Sequence, residues 1–315
     1  MRKVGTSFKS QYNRGYAAIA GEYVYSSSYD MGEGFTSDNV SPCGGCDLYT
    51  TFNNLNVYTA GPPNSVSFYI SAFGNALYTR NLKVSFYNNI LFNDATMNYF
   101  SIVKKQVNNI PLSILQSPDN LQVAVNGYTP PPGVSNSNDH IVVGEMMLTY
   151  PAKFNFNNEK NFYFELAASA TGNYLVIDNF NAGATPPVLY NLNTGQRYTG
   201  DISMPGQVRF ALPASTDPIR KFSLVNEEDN NITTIDNLTS RSFINYSLTA
   251  NQGDYLIISN PVLFNDGNGI NYVDEYRKYR ASAVGGSFHP VVVTIDELND
   301  QFAFGIKKHP AAIRD

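Results

Sequence analysis

Tryptophan is absent from the 315-residue sequence, cysteine occurs twice, histidine three times, and only 15% of the residues are charged. Each scarcity excludes a class of chemistry. A zinc site takes about four Cys or His ligands at paired spacings, whereas the one pair here is Cys43 and Cys46, and the histidines, His140, His289 and His309, are scattered. Lys and Arg total 21 against 26 Asp and Glu, and no basic tract gathers them. Nucleic acid is therefore not an expected partner, because displacing phosphate counterions needs a concentrated cationic surface. No apolar run approaches the ~20 residues of a membrane-spanning helix. The N-terminus has basic residues, but Ser7, Lys9, Gln11, Asn13 and Arg14 interrupt any apolar core of a signal peptide, so an exported parent would carry its signal upstream of this chain.

What the chain has is 22 Tyr, 20 Phe and many Val, Ser, Thr and Asn, a composition that favours strand and turn over helix. Residues 1–50 read as an irregular segment with short strands, one of them at Glu22-Tyr23-Val24-Tyr25. Within it, Tyr29-Asp30-Met31-Gly32-Glu33-Gly34-Phe35 reads as a tight turn, with glycines taking positive φ and Asp30 or Glu33 holding backbone amides. Residues 51–168 carry alternating runs such as Ser65–Ser71, Leu82–Phe86, Leu121–Val125, Ile141–Tyr150 and Asn161–Leu166, separated by turn residues, the pattern of a jelly-roll or immunoglobulin-like β-sandwich. Residues 169–250 read as a smaller β-module with shorter strands, including Tyr174–Asp178, Gln207–Leu212, Lys221–Val225 and Ile232–Ile235. The pair in Cys43-Gly44-Gly45-Cys46 lies in a Gly/Ser/Asp-rich loop rather than between a strand and a helix. A local disulfide or two free thiols is thus preferred to metal or redox chemistry. His140, Met146 and Met147, in or beside one strand, read as packing residues.

Residues 251–315 change character. Leu256-Ile257-Ile258 suits a strand buried on both faces. Val273, Tyr276, Tyr279, Arg280 and Ala283 then recur at helical spacing, with Asn271 placed as the cap and Gly285-Gly286 as the stop. Pro290–Ile295 reads as a second buried strand, making a strand–helix–strand unit of a parallel sheet, and Pro310 opens another helix. Two parallel strands with one crossover cannot cover both faces of their sheet, so this segment is expected to be the beginning of an α/β domain in a longer protein. The loop Phe264–Ile270 has some of the spacing of a calcium loop, with Asp266, Asn268 and Glu275 at ligand positions. Phe264 falls where the first carboxylate should be, and a plain polar loop is preferred. The fold class expected is therefore mainly β, in sandwich modules followed by the first βα(β) unit of an α/β domain.

Asp30–Phe35, Asp139-His140-Ile141 leading into Leu148-Thr149-Tyr150-Pro151, Asp254–Ile258 and Phe302–Asp315 resemble, in order, landmarks of the gingipain-like cysteine peptidases, or sortases, of the type IX secretion system in the Bacteroidetes. The resemblance implies a parent enzyme at the outer membrane, facing the cell surface. It would process cargo proteins bearing C-terminal secretion signals, alongside other outer-membrane secretion components. It also implies that the α/β segment is the start of a caspase-like catalytic domain, whose His and Cys follow beyond Asp315. No catalytic residue and no cofactor is then expected here, and His289 and His309 read as structural. The alternative is a surface β-sandwich binding or adhesion module, carbohydrate-binding by virtue of its tyrosines. A third reading, gingipain itself or another surface cysteine peptidase of the same fold, shares only the features of Asp254–Asp315.

Overall fold

In a computed structural model, the chain is described except for residues 17–29, 43–45, 61–64, 88, 95–96, 116–119, 127–138, 308, 310 and 315. It is mainly β and divides into two compact units, one comprising the described residues up to Thr234 and the other those from Ile235 onward. The expected strand at Glu22–Tyr25 lies outside the described residues.

The first unit begins with β1 (Arg2–Ser7), β2 (Gln11–Asn13), β3 (Gly34–Thr36), β4 (Leu48–Asn53), β5 (Ser65–Gly74), β6 (Leu82–Phe86), β7 (Asn89–Asp94), β8 (Ile102–Pro111), β9 (Asn120–Asn126) and β10 (Ile141–Tyr150). Two four-stranded antiparallel sheets, ordered β1-β10-β5-β8 and β4-β9-β6-β7, form a sandwich. Alternation decides which side chains meet. In β5, Val66, Phe68, Ile70 and Ala72 are buried, while the serines and tyrosine between them are only half-buried. Phe68 meets Phe86 of the opposite sheet edge-to-face, ring centroids 5.0 Å apart. Val84, Leu121, Val123, Val143 and Leu148 complete a core from which water is excluded, each such side chain contributing about 1.5–3 kcal/mol. Tyr150 is fully buried and donates its hydroxyl to the carbonyl of Leu55 at 2.8 Å.

The second module follows with β11 (Asn161–Ser169), β12 (Asn173–Asp178), β13 (Val188–Asn191), β14 (Arg197–Thr199), β15 (Gln207–Leu212) and β16 (Ser215–Val225). One sheet has the order β11-β16-β13-β14, and β12 pairs with β15. The sequence placed Asn161–Leu166 at the end of the first sandwich. It pairs instead with β16, from Asn161 opposite Val225 to Ala167 opposite Ile219, because its inward phenylalanines stack on the module's own core. Phe162 lies flat against Phe156 at 3.8 Å and Phe164 against Phe222 at 5.6 Å. Ile232–Ile235, read as a strand from propensity, is not one. Ile235 is 73% exposed, and β-branched residues form a strand only where another strand pairs with them.

The second unit contains β17 (Tyr255–Ser259), α1 (Tyr272–Ala281), β18 (Pro290–Thr294), α2 (Ile295–Phe302) and α3 (Ala311–Arg314). β17 and β18 are parallel, Tyr255 opposite Pro290 through Ser259 opposite Thr294. The Asn271 side chain accepts from the Asp274 amide at 3.0 Å and caps α1 as expected. Two sequence expectations need correction. Leu256 of β17 is 59% exposed, since the sheet of this unit has two strands among the described residues, too few to be covered on both faces. Ile295 begins α2 rather than ending β18, because Thr294 accepts from the Glu297 amide at 3.2 Å and so closes the strand with a helix cap.

Candidate functional site

The turn at Asp30–Phe35 is built around Glu33. Its Oε2 accepts the Asp30 amide at 2.9 Å and its Oε1 the Tyr12 hydroxyl at 2.6 Å, while Asn13 donates to the Gly32 carbonyl at 2.8 Å. Glu33 is thus an acidic side chain of this turn that holds a backbone amide, as expected. Gly32 has φ +79° and lies so close to Phe73 that a Cβ there would sit 2.2 Å from its ring. The residue type is therefore fixed by both conformation and space. Tyr29 lies outside the described residues.

Asp139 and His140 have separate partners. Asp139 Oδ1 accepts from Arg80 Nε at 2.6 Å, and Arg80 also donates to the Ala76 carbonyl at 2.7 Å and to that of Tyr99. His140 Nδ1 is 2.8 Å from the Ser41 hydroxyl. Met146 is buried in the sandwich core. Cys46 is not a free thiol; Cys43 lies outside the described residues, and its pairing with Cys46 remains a proposal.

In the second unit, Asp266 Oδ1 accepts the amides of Asn268 at 2.7 Å and Ile270 at 3.0 Å. These bonds hold its carboxyl below the usual range, the Asn268 amide contributing most. Glu275 Oε1 accepts from Lys278 at 2.9 Å within α1. The three residues considered for calcium are thus given local partners, and among the described residues no group of three or more His, Cys, Asp or Glu is placed to hold a metal. His289 donates its backbone amide to Asp254, and His309 Nδ1 accepts the Ala311 amide at 3.1 Å.

An open cleft lies on the second module, among the described residues. Alternation turns Leu175, Ile177, Val208, Phe210 and Leu212 of the β12–β15 pair into the core. Tyr174, 65% exposed, and Arg209 are left towards the outer face. The chain then brings the end of β14 beside β15. Asp201 and Arg209 exchange both backbone hydrogen bonds at 2.9 Å, and Gly200 permits the approach, since a Cβ there would fall 2.7 Å from Val208. An open cleft of about 460 Å³ results, lined by Tyr174, Arg197, Tyr198, Asp201, Arg209 and Phe210, with Thr199 and Ala211.

Its charges are arranged in pairs. Arg209 Nη2 binds Asp201 Oδ2 at 2.8 Å and the Ser203 hydroxyl at 2.6 Å. Asp201 Oδ1 accepts the Ser203 amide at 2.9 Å. These bonds, the Ser203 amide first, hold the Asp201 carboxyl below its usual range. Arg197 Nη2 lies 2.8 Å from each oxygen of Glu227, which also accepts from the Tyr190 hydroxyl. The cleft therefore offers guanidinium donors, an ionised carboxylate and the exposed ring of Tyr174, while Phe210 turns its ring into the core. Sequence reasoning did not find it. The outward alternation of Tyr174 in β12 and Arg209 in β15 was readable, but the approach of Asp201 to Arg209 was not.

No family model matches the chain, and no curated protein matches it by sequence. Among solved structures, the chain is similar in fold to dimeric latent PorU from Porphyromonas gingivalis, with a TM-score of 0.51 and 13% identity, over 96% of this chain and 26% of that one. The chain thus spans about a quarter of that structure's length. A glycosyl hydrolase family 2 member from Bacteroides cellulosilyticus matches 58% of the chain at 11% identity, but its TM-score of 0.21 carries no argument. Among the described residues, no helix is long and apolar enough to cross a membrane. The chain is thus a set of β-modules followed by a short parallel α/β unit, and in fold it is like PorU.

Proposed function

We propose that the chain is the β-rich, non-catalytic front region of a gingipain-like cysteine endopeptidase of the type IX secretion system. It would act at the outer membrane and cell surface, where its modules position cargo bearing C-terminal secretion signals and dock neighbouring secretion components. In this reading β17, α1 and β18 begin a caspase-like domain whose nucleophile and base are supplied elsewhere in the parent. The observation that carries the proposal is the likeness of fold along 96% of the chain. The ordered sequence landmarks support it independently. The His140 ring meets the Ser41 hydroxyl and the His309 ring the Ala311 amide, which accords with structural roles for these two.

The test uses the 315-residue chain and the full-length protein of its gene with a fluorescent substrate carrying a C-terminal secretion signal. The chain alone is expected to bind the substrate without cutting it, and the full-length protein to cut it. Cleavage by the chain alone that disappears in His289→Ala or Cys43→Ala would sink the proposal, as would failure of the full-length protein to cleave. A second reading, a surface binding module whose parent has no peptidase activity, is favoured specifically by the polar aromatic cleft between β14 and β15.

A further inference from the structure

We propose that the face of α2 carrying Glu297, Asp300 and Gln301 is a binding site for an extended basic peptide of a partner protein, and that residues 241–246 of this chain occupy it as a releasable internal ligand. The inference lies within the second unit and rests on neither functional reading above.

Glu297, Asp300 and Gln301 stand at i, i+3 and i+4 in α2, so they share one face of the helix. All three meet the chain that precedes β17. Glu297 Oε1 accepts the Ile244 amide at 2.9 Å, and Gln301 Nε2 donates to the Ile244 carbonyl at 3.1 Å. Both main-chain groups of one residue are thus read by side chains, in the way that a neighbouring strand reads them. Asp300 pairs with Arg241, and the Tyr246 ring lies 6.2 Å from that of Phe302, against the core of Val293 and Leu298. Glu297 is the informative member. A glutamate three residues after a threonine cap ordinarily folds back to the cap's own amide; here its carboxylate holds the backbone of another segment.

The internal occupant is held loosely. Residues 232–245 are exposed without interruption, and among the described residues the backbone of 232–244 makes no hydrogen bond to other backbone. Ile244 is 41% exposed, and the pair of Arg241 and Asp300 is of the solvent-exposed kind that contributes little. Asn251 and Gln252 donate to the carbonyls of Asn245 and Tyr246 at 2.8 and 2.9 Å, bonds internal to the segment that move with it. Gln301 Oε1 and the Tyr246 hydroxyl are buried without a partner among the described residues, and release returns both to water, which offsets part of what is lost. A segment with few buried contacts and exposed hydrogen bonds opens locally well before the fold does.

The chemistry of the face names its partner. Two carboxylates and an amide favour a cation over an anion, and the paired contacts to one N–H and one C=O require a peptide main chain, because an extended residue points both groups to the same side. The segment seated there sets the spacing: an arginine, three residues later the residue whose backbone is read, and two beyond that an aromatic ring. The rival occupant is the same segment of a second copy, exchanged between chains.

The experiment titrates a fluorescent peptide of residues 238–252 with the 315-residue chain, read by anisotropy, and follows amide exchange of residues 241–246 in the chain. Arg241→Glu sets a like charge opposite Asp300 and so frees the face while leaving its three side chains intact. That variant is expected to bind the peptide about five- to tenfold more tightly than the natural chain, where the tethered segment competes at high effective concentration, and to exchange the Ile244 amide faster by a similar factor. Adding Asp300→Ala and Gln301→Ala to it is expected to abolish binding at an unchanged thermal midpoint. Absence of binding to the Arg241→Glu chain overturns the proposal, as does binding indifferent to the loss of Asp300 and Gln301, or an Ile244 amide that exchanges only with global unfolding. A concentration-dependent dimer of the natural chain that the free peptide dissociates would assign the face to a second copy instead.

Discussion

Asp139→Leu should be among the most damaging single substitutions outside the aliphatic core, although it removes a charged residue. Arg80 has no exposed side-chain surface and Asp139 only 2%. The guanidinium is held by the Asp139 carboxylate at 2.6 Å and by the carbonyls of Ala76 and Tyr99. Without Asp139 a full positive charge stays buried on two neutral acceptors, a situation that costs about 3–5 kcal/mol. That is a large share of the 5–15 kcal/mol by which domains are roughly stable. The double variant Arg80→Met/Asp139→Leu separates the parts. Replacing a buried pair by apolar residues is often close to neutral, but here the two carbonyls also lose their donor, at about 1–3 kcal/mol each. The double variant should therefore remain destabilised, yet by clearly less than the sum of the two single variants, a coupling of roughly 2 kcal/mol or more. Urea unfolding followed by circular dichroism gives all four free energies, since the chain has no tryptophan to report. A cost below about 1 kcal/mol for Asp139→Leu, with an unchanged urea slope, would mean that the guanidinium reaches water and would refute the reasoning.

Three further outcomes are expected. Burial pushes the Tyr150 hydroxyl up to about 12, with Arg2 opposing. A raised acid pKa stabilises the fold fully below the unfolded value near 10, and that stability is lost as pH rises through the folded value. Two units correspond to about 2.7 kcal/mol, so between pH 10 and 12 Tyr150→Phe should flatten the fall in stability. An identical alkaline limb in the variant would show that other tyrosines cause it. Gly32→Ala should cost about 2–4 kcal/mol, combining a positive φ with overpacking against Phe73, and Phe73→Ala in the same chain should recover part of it. If the thermal midpoint is unmoved, the turn does not pack as described. Asn271→Ala should speed amide exchange at the start of α1 by an amount equivalent to about 0.5–2 kcal/mol, leaving the β-modules unchanged. Slowed exchange throughout would contradict the capping role.

How much of this was legible in the sequence depended on whether the determining contact was local. The alternation in Ser65–Ser71 and Ile141–Tyr150 reads directly as strands with one buried face, and Asn271 as a cap, because each rests on neighbours within a few residues. β8 was missed, since Ile102–Pro111 carries Lys104, Lys105, Asn108 and Asn109 and is half solvent-facing along its length. An edge strand of that kind is recognised only by its partner, β5. Ile232–Ile235 failed in the opposite sense, having the propensity but no partner. α2 did leave a signal, Thr294 followed three residues later by Glu297, the spacing of a capping box, but the preceding valine run outweighed it. The cleft and the buried pair belong to a third category. Asp139 carries no local sign of its role, and only Arg80, 59 residues earlier, shows the aspartate to be a structural counter-ion. Asp201 and Arg209 are close in sequence, yet each reads as an ordinary surface charge until Tyr174 and Arg197 are brought in from other strands. A cleft assembled largely from the outer residues of three strands has no motif, because the alternation that fixes the core constrains outward positions only to be polar or aromatic. Its chemistry is written in pairing register, which local pattern does not encode.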